Sequence, residues 1–260
     1  MVSERYPEID EVIAYIHQHL NEPFSLAELA ALVSYSPYHF TRIFKETIGL
    51  PPQYYVSSHR LQKAKDLLLH TDLSIREVGL EIGQQSLGTF TTRFTQRVGV
   101  TPAAFRQSRV QVDEHLNSLQ QLPDWSSLRP VIEQDARIAG TIQAAVPFDG
   151  LILLGLFARP IPEGLPLYGT LLSSLGEFCL TGVKPGIYYL MATSVSWNMH
   201  ANDILLPQAT LRTRTRVPIH VQPYTAVPFQ HVTLLPPSPD DPPILISLPL
   251  LMKNFLSQAT

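Results

Sequence analysis

Ser25-Leu26-Ala27-Glu28-Leu29-Ala30 is answered, later in the same chain, by Ser74-Ile75-Arg76-Glu77-Val78-Gly79. Phe40, Phe44, Gly49 and Pro52 return as Phe90, Phe94, Gly99 and Pro102. The offset is 49 residues for the first set and 50 for the second, so one copy carries a single inserted residue. Ser25 with Glu28, and Ser74 with Glu77, have the spacing of a capping box and open a short helix in each copy. Pro37, directly after Ser36, suits the first turn of a following helix. Gly49 and Gly99 close that second helix, each with a proline soon after. Each copy reads as helix, tight turn, helix. Two such units in tandem suit a chain that reads two stretches of DNA groove.

Around this repeat the front of the chain stays helical. Ile9, Val12, Ile13, Ile16 and Leu20 have helical spacing and make an amphipathic first helix. Between the copies, Tyr54 to His70 reads as one longer helix, with Val56, Leu61, Ala64, Leu67 and Leu68 as its buried stripe. At ~1.5 Å per residue it spans roughly 25 Å. Val112, Leu116 and Leu119 follow at i, i+4, i+7, so Gln107 to Leu122 is expected to be a linker helix. Its stripe fits either a connector lying on one domain or a dimer seam.

Composition divides the chain. Of 23 prolines, six precede residue 109 and the other 17 follow residue 122. Beyond that shift, short runs rich in β-branched residues alternate with Pro and Gly. Strands are expected at Arg137–Gln143, Leu151–Ala158, Glu177–Leu180, Ile187–Ser194, Ile219–Gln222, Gln230–Leu235 and Ile244–Leu248, with a short helix at Pro249–Gln258. The fold class is therefore two-domain. An all-α double helix-turn-helix domain at 1–108 leads through a linker helix at 109–122 to an all-β sandwich at 123–260, expected to sense or dimerise.

The formal net charge of −3 gives no hint of a polyanion partner, but its distribution does. Thr47 to Lys65 holds Arg60, Lys63 and Lys65 and no acid. Ile82 to Val112 holds Arg93, Arg97, Arg106 and Arg109 and no acid. Glu4, Glu8, Asp10 and Glu11 lie together near the start. One-sided placement of this kind suits phosphates. With a single cysteine, Cys179, no intrachain disulfide can form. Met1 to Arg5 lacks a signal-peptide core, and the apolar run at Leu151 to Ala158 is far too short to span a membrane. A soluble cytoplasmic protein is expected.

The second helix of such a unit enters the major groove and touches bases with its N-terminal residues. Phe40, Ile43 and Phe44 turn inward, leaving Tyr38, Thr41, Arg42 and Lys45 on the other face. Arg42 suits guanine, whose O6 and N7 accept two hydrogen bonds from one guanidinium. Tyr38 suits a thymine methyl or a phosphate, Thr41 either more weakly, and Lys45 a phosphate. The second copy presents Gly88, Thr91, Thr92 and Thr95. These carry little base information, so the first unit is expected to read sequence. The second adds phosphate contacts and shape reading, with Arg93 and Arg97 close by. The expected base-reading set is Tyr38, Thr41, Arg42, Gly88, Thr91 and Thr92, and the phosphate set Lys45, Arg60, Arg93, Thr95 and Arg97.

Residues 8–107 resemble the DNA-binding domain of the AraC/XylS family of bacterial transcription regulators. The resemblance rests on Ser36-Pro37-Tyr38-His39-Phe40-Thr41-Arg42-Ile43-Phe44-Lys45 and on Ser86-Leu87-Gly88-Thr89-Phe90-Thr91-Thr92-Arg93-Phe94 with Val98-Gly99-Val100-Thr101-Pro102. It implies seven helices. Tyr54 to His70 would be a rigid spacer holding two recognition helices in successive major grooves, roughly 34 Å apart. Two features depart from the family. Gln84 stands where the family has an aromatic residue, and the DNA-binding domain comes first, leaving 123–260 as the place for sensing or dimerisation. Gly176 to Ala192, with Phe178, Pro185, Gly186 and Tyr188, is similar to the transthyretin-like sandwich of carboxypeptidase regulatory domains. There a Gly-x-Phe strand precedes a Pro-Gly-x-Tyr hairpin, and Ala139 to Ile142 matches the first strand.

Tyr188, Tyr189, Trp197 and His200, with Met199, are candidates for an effector pocket, against the plainer reading of sandwich core and rim. Enzymatic chemistry finds no support. His17 and His19 lie on different faces, no Cys/His spacing suits zinc, and Cys179 reads as a small hydrophobe in a strand. The expected protein is a sequence-specific transcription regulator without cofactor or metal. Its partners would be double-stranded DNA, a second copy of itself, RNA polymerase and a small-molecule effector. The alternative is an architectural DNA-binding protein whose sandwich docks a protein partner.

Overall fold

A computed structural model describes residues 6–123, 125 and 136–259. Met1 to Arg5 and most of the junction before the first strand lie outside the described residues. Seven helices occupy the front: α1 (Pro7–Gln18), α2 (Leu26–Leu32), α3 (Pro37–Ile48), α4 (Pro52–His70), α5 (Ile75–Glu81), α6 (Leu87–Val98) and α7 (Pro102–Gln107). Both capping boxes form. Ser25 and Ser74 accept from the Glu28 and Glu77 amides, and each glutamate bonds back to its serine amide. Gly49 and Gly99 end α3 and α6 with φ of +86° and +91°, a left-handed conformation that glycine enters without the Cβ penalty.

Helix α8 (Arg109–Gln120) buries the expected stripe of Val112, Leu116 and Leu119. It packs on α9 (Ala201–Leu205) and α10 (Leu248–Ala259) of the same chain. The stripe is thus filled internally and is no dimer seam.

The back region holds two sheets. In the first, β1 (Ala136–Ala144) lies between β4 (Gly176–Val183), antiparallel to it, and β8 (Gln230–Leu234), parallel to it. In the second, the order is β3 (Tyr168–Leu172), β2 (Gly150–Phe157), β5 (Gly186–Ser196) and β6 (Arg212–Arg214), and β7 (Ile219–Val221) also pairs with β5. Ile138, Phe178 and Leu180 of the first sheet meet Ile152, Leu154 and Leu190 of the second in one apolar interior.

Strand β2 is buried along its whole length because both its faces are covered. Ile152 and Leu154 point into the sandwich, whereas Leu151 and Leu153 join the other core, that of the helical region. That core also takes in Ile161, Val195, Leu245, Met252 and Phe255, so helical and β regions share continuous packing.

Three expectations need correction. Ile244–Leu248 forms no ladder strand. Ile244 to Ser247 instead form a strap between Pro242-Pro243, which lack donors, and the start of α10 at Leu248, and its amides serve the helical region and the neighbouring loop. The turn at Lys184–Pro185 closes no hairpin, since β4 and β5 belong to different sheets and the turn carries the chain across the sandwich. Strands β3 and β6 and helix α9 were not expected; β6 is the polar Arg212-Thr213-Arg214, without the apolar run that marks a strand.

Candidate nucleic-acid interface

Helices α3 and α6 each carry an apolar face inward and a polar face outward. Phe40 and Phe44 are fully buried with their rings tilted against each other, and Phe90 and Phe94 of the second unit are fully buried and meet edge to face. Ser36 and Ser86 cap the helices by accepting from the His39 and Thr89 amides. This fixes which side chains face out.

Tyr38 is 83% exposed at the start of α3. Arg42 and Lys45 are exposed one and two turns on. The Arg42 guanidinium bonds Glu46 at 3.0 Å, an i,i+4 pair half open to water and therefore worth only a few tenths of a kcal/mol, so about 0.5 at most. Reaching a base would break it cheaply. Thr41 is half-buried, and its hydroxyl donates to the Pro37 carbonyl within its own helix.

In α6, Gly88 and Thr92 are exposed and Thr91 is half-buried. Thr95 is half-buried, its hydroxyl donating to the Thr91 carbonyl. Arg93 is exposed and donates to Gln84 Oε1 at 3.2 Å. Gln84 thus holds a cation beside the reading face. Phe90 lies against Gly79, where an added Cβ would meet its ring at 3.3 Å.

Two residues expected to meet phosphate face elsewhere. The Arg60 guanidinium donates to the carbonyls of Leu20 and Glu22, at 3.0 and 2.7 Å, and lies over the Phe24 ring. Arg97 pairs with Glu163 at 2.5 Å, donates to Ser57 and Ser58, and stacks over Tyr54. Its side chain is only 12% exposed. Both guanidiniums are satisfied internally, and no charge pattern along the chain announces such partners. Of the expected phosphate set, Lys45 and Arg93 remain the exposed cations.

The C-terminal ends of both recognition helices are held by the back region. Arg214 Nη1 donates to the Ile48 carbonyl at 2.6 Å, and Arg216 Nη1 to the Thr47 carbonyl at 2.9 Å. In the second unit the Gly164 amide donates to the Arg97 carbonyl at 2.6 Å and the Ser247 amide to the Val98 carbonyl at 2.9 Å. These carbonyls belong to the last turns, where helices lack internal donors. Pro160 covers Gly49, and Leu250 covers Gly99. The N-terminal halves, where bases would be read, stay open. Sequence reasoning passed over Arg212, Arg214 and Arg216, yet their alternation with Thr213 and Thr215 is a strand-like period that puts all three on one face.

The four effector candidates do not converge. Tyr188 is buried in the sandwich interior, against Tyr168, its hydroxyl donating to the Lys184 carbonyl. Trp197 packs on the other core, past the far end of β5. Nine residues of extended chain, roughly 30 Å, separate the two. Tyr189 is half-buried on β5, His200 is exposed, and none of the four lines the large cavity described below.

Residues 29–108 match the family model of a helix-turn-helix domain. These residues form a helix-turn-helix domain. An uncharacterised HTH-type transcriptional regulator of Bacillus subtilis, YobQ, is 35% identical over 96 residues, which are 37% of this chain and 40% of that protein. The regulatory protein PocR of Salmonella typhimurium is 33% identical over 109 residues, 42% of this chain and 36% of its own length. The chain thus spans two fifths or less of these relatives. Among solved structures, an AraC-type transcriptional regulator from Chromobacterium violaceum is 30% identical over 41% of this chain and 95% of that one, with a TM-score of 0.39. The DNA-binding domain of AdpA, solved in complex with a target DNA, is 31% identical over 40% of this chain and 96% of that one, with a TM-score of 0.38. All of these likenesses are confined to less than half of the chain, so the back region has no counterpart among them.

Proposed function

We propose that the chain is a sequence-specific DNA-binding transcription regulator. Its AraC-type domain lays α3 and α6 in successive major grooves, and its β region fixes the pair. The observation that carries this reading is the two-fold arrangement of the recognition helices: open at the N-terminal half, capped by one and the same β region at the C-terminal end. Two probes held from behind by a single body keep one spacing, and DNA rewards that with contacts on one side of the duplex.

In this reading Arg42 and Tyr38 supply direct base contacts, Lys45 and Arg93 supply phosphate contacts, and Gly88, Thr91 and Thr92 let the second groove approach closely. Thr41 and Thr95 contribute through their methyl groups, their hydroxyls being held within the helix. The resemblance of 137–195 to a transthyretin-like sandwich is supported by two facing sheets with a common apolar interior. A homodimer, if formed, uses a surface other than the α8 stripe.

Genomic footprinting with the full chain tests the proposal. The expected result is protection of a discrete sequence covering two adjacent major grooves on one face. Affinity should fall steeply with salt as phosphate-bound counterions are released. Protection of many unrelated sequences would overturn it in favour of an architectural DNA-binding role.

A further inference from the structure

A cavity of about 570 Å³ lies in the back region, between the second sheet and α10. It falls within the ~300–1,000 Å³ range of small-molecule sites. Leu153, Phe157, Met191 and Phe255 give it apolar walls. One end is polar, made by Arg212, Arg214 and Arg216 with Asp240 and Asp241. The charges at that end do not balance. Arg216 pairs with Asp240 at 2.5 Å, and Asp241 accepts from the Ser238 amide. Arg212 donates to the carbonyls of Pro207, Gln208 and Thr210. Arg214 donates to the carbonyls of Ile48 and Pro160, while its Nη2 is buried with no hydrogen-bond partner among the described residues.

Three guanidiniums face two carboxylates, and the one whose fork is incomplete is Arg214. A half-buried cation with a buried, unmet donor favours an anion, and the fork of a guanidinium matches a carboxylate. The deficit is one charge, so a monoanion fits better than a phosphate dianion. We propose that this cavity binds a small monocarboxylate with an apolar aryl or alkyl body, its carboxylate seated against Arg214. The same guanidinium, like that of Arg216 in the same lining, caps the last turn of α3, so occupancy of the cavity reaches the first recognition helix directly. That coupling rests on the DNA-binding reading; the ligand site does not.

Titration calorimetry on the full chain tests the site with three probes that share one body: 4-phenylbutyrate, 4-phenylbutanol and 4-phenylbutylamine. The acid is expected to bind about tenfold or more tighter than the alcohol, as one charge-assisted hydrogen bond implies, and the amine more weakly than either. Arg214→Gln should bring acid and alcohol level, while Arg214→Lys, which keeps the charge, should preserve a preference for the acid. Should Arg214→Gln fail to fold, the probe series on the unaltered chain and on Arg214→Lys decides. Equal binding of acid and alcohol, or no binding of the acid, would overturn the proposal. In a second arm, 4-phenylbutyrate is added to the complex with the footprinted DNA and is expected to change its affinity severalfold. Binding of the acid without any such change removes the coupling. Calorimetry contains no DNA, so a failure of the DNA reading and a failure of the ligand site are told apart.

Discussion

The two helix-turn-helix units share a fold and differ in nearly everything that faces outward or backward. The first presents Tyr38, Arg42 and Lys45; the second presents Gly88, Thr91 and Thr92. The first is held from behind by two arginines reaching from the β region to its last carbonyls. The second is held by backbone amides and by the nearly buried pair of Arg97 and Glu163, flanked by Tyr54 and the exposed Arg159. Duplication fixes the scaffold, because caps, aromatic pairs and closing glycines answer to local rules. Outward faces are free to diverge, since exposed positions carry little of the folding energy. In the proposed reading, that difference makes the first unit the one that discriminates and the second the one that anchors.

Arg97 offers the largest test of that contrast. Its ion pair with Glu163 is nearly buried, so Arg97→Ala leaves a carboxylate with only Tyr54 and Arg159 for company. We expect a loss of about 3 kcal/mol in urea unfolding. Arg216→Ala, at a half-exposed pair on the first unit, should cost about 1 kcal/mol or less. Equal costs would mean that the two units are tied alike.

Next in size is the response to pH, because a different buried base lies behind each unit. Behind the first, His59 sits against Tyr55 and His17, and burial together with His17 lowers its pKa to about 3. An unfolded histidine takes a proton near 6.5, so between those values the unfolded chain binds more protons and stability falls with falling pH. At pH 5 the loss should be about 2 kcal/mol. Behind the second unit, Lys65 is fully buried, donates to the Ile244 carbonyl and lies over Phe105. Burial lowers its pKa to about 7. The unfolded lysine keeps its proton up to about pH 10.4, so stability should rise from pH 7 to pH 9, by about 2 kcal/mol. Denaturation curves at pH 5, 7 and 9 check both limbs. His59→Gln should flatten only the acid limb and Lys65→Met only the alkaline one; an acid limb that survives His59→Gln assigns the effect to other groups.

Sequence preference sharpens the contrast on the reading side. Arg42→Ala is expected to lower affinity for the footprinted site ~10- to 100-fold and to relax choice at one base pair, as the loss of a bidentate contact does. Thr92→Ala should lower affinity a few-fold and leave the preferred sequence intact. A selection experiment in which Thr92→Ala shifts the preferred sequence while Arg42→Ala does not would invert the roles of the two units.

Much of the scaffold was legible because it rests on local chemistry. Ser25, Ser74, Gly49 and Gly99 announce helix ends by residue type alone, and Val112, Leu116 and Leu119 announce a buried stripe. What that stripe packs on was not legible, for α8 ends at Gln120 and α10 begins only at Leu248. Arg60 and Arg97 looked like phosphate ligands because an arginine in an acid-free run has no local partner. Their partners, the Leu20 carbonyl and Glu163, arrive only through tertiary folding. Ile244 to Leu248 looked like a strand because a strap that crosses a core must be apolar too. The clamp itself was half legible, since the alternation of Arg212, Arg214 and Arg216 was there to be seen, while its targets, carbonyls at the ends of α3, were not.

The smallest expected effect falls on Gly88, and it separates folding from function most cleanly. Glycine at an exposed helical position weakens the helix by up to about 1 kcal/mol relative to alanine, less in the first turn. Nothing within the chain requires it: a Cβ there would meet only Ser86 Oγ, at 4.0 Å. The matching residue of the first unit, Tyr38, is large and exposed, so the fold has no need of smallness at this point. A close approach from outside does need it, and a sugar-phosphate backbone lying on the start of α6 would be such an approach. Gly88→Ala should therefore raise the melting temperature slightly while weakening DNA binding severalfold. A variant that gains stability and binds DNA as before would place the start of α6 outside the interface, and the anchoring role would pass to Arg93 and the flank of the helix.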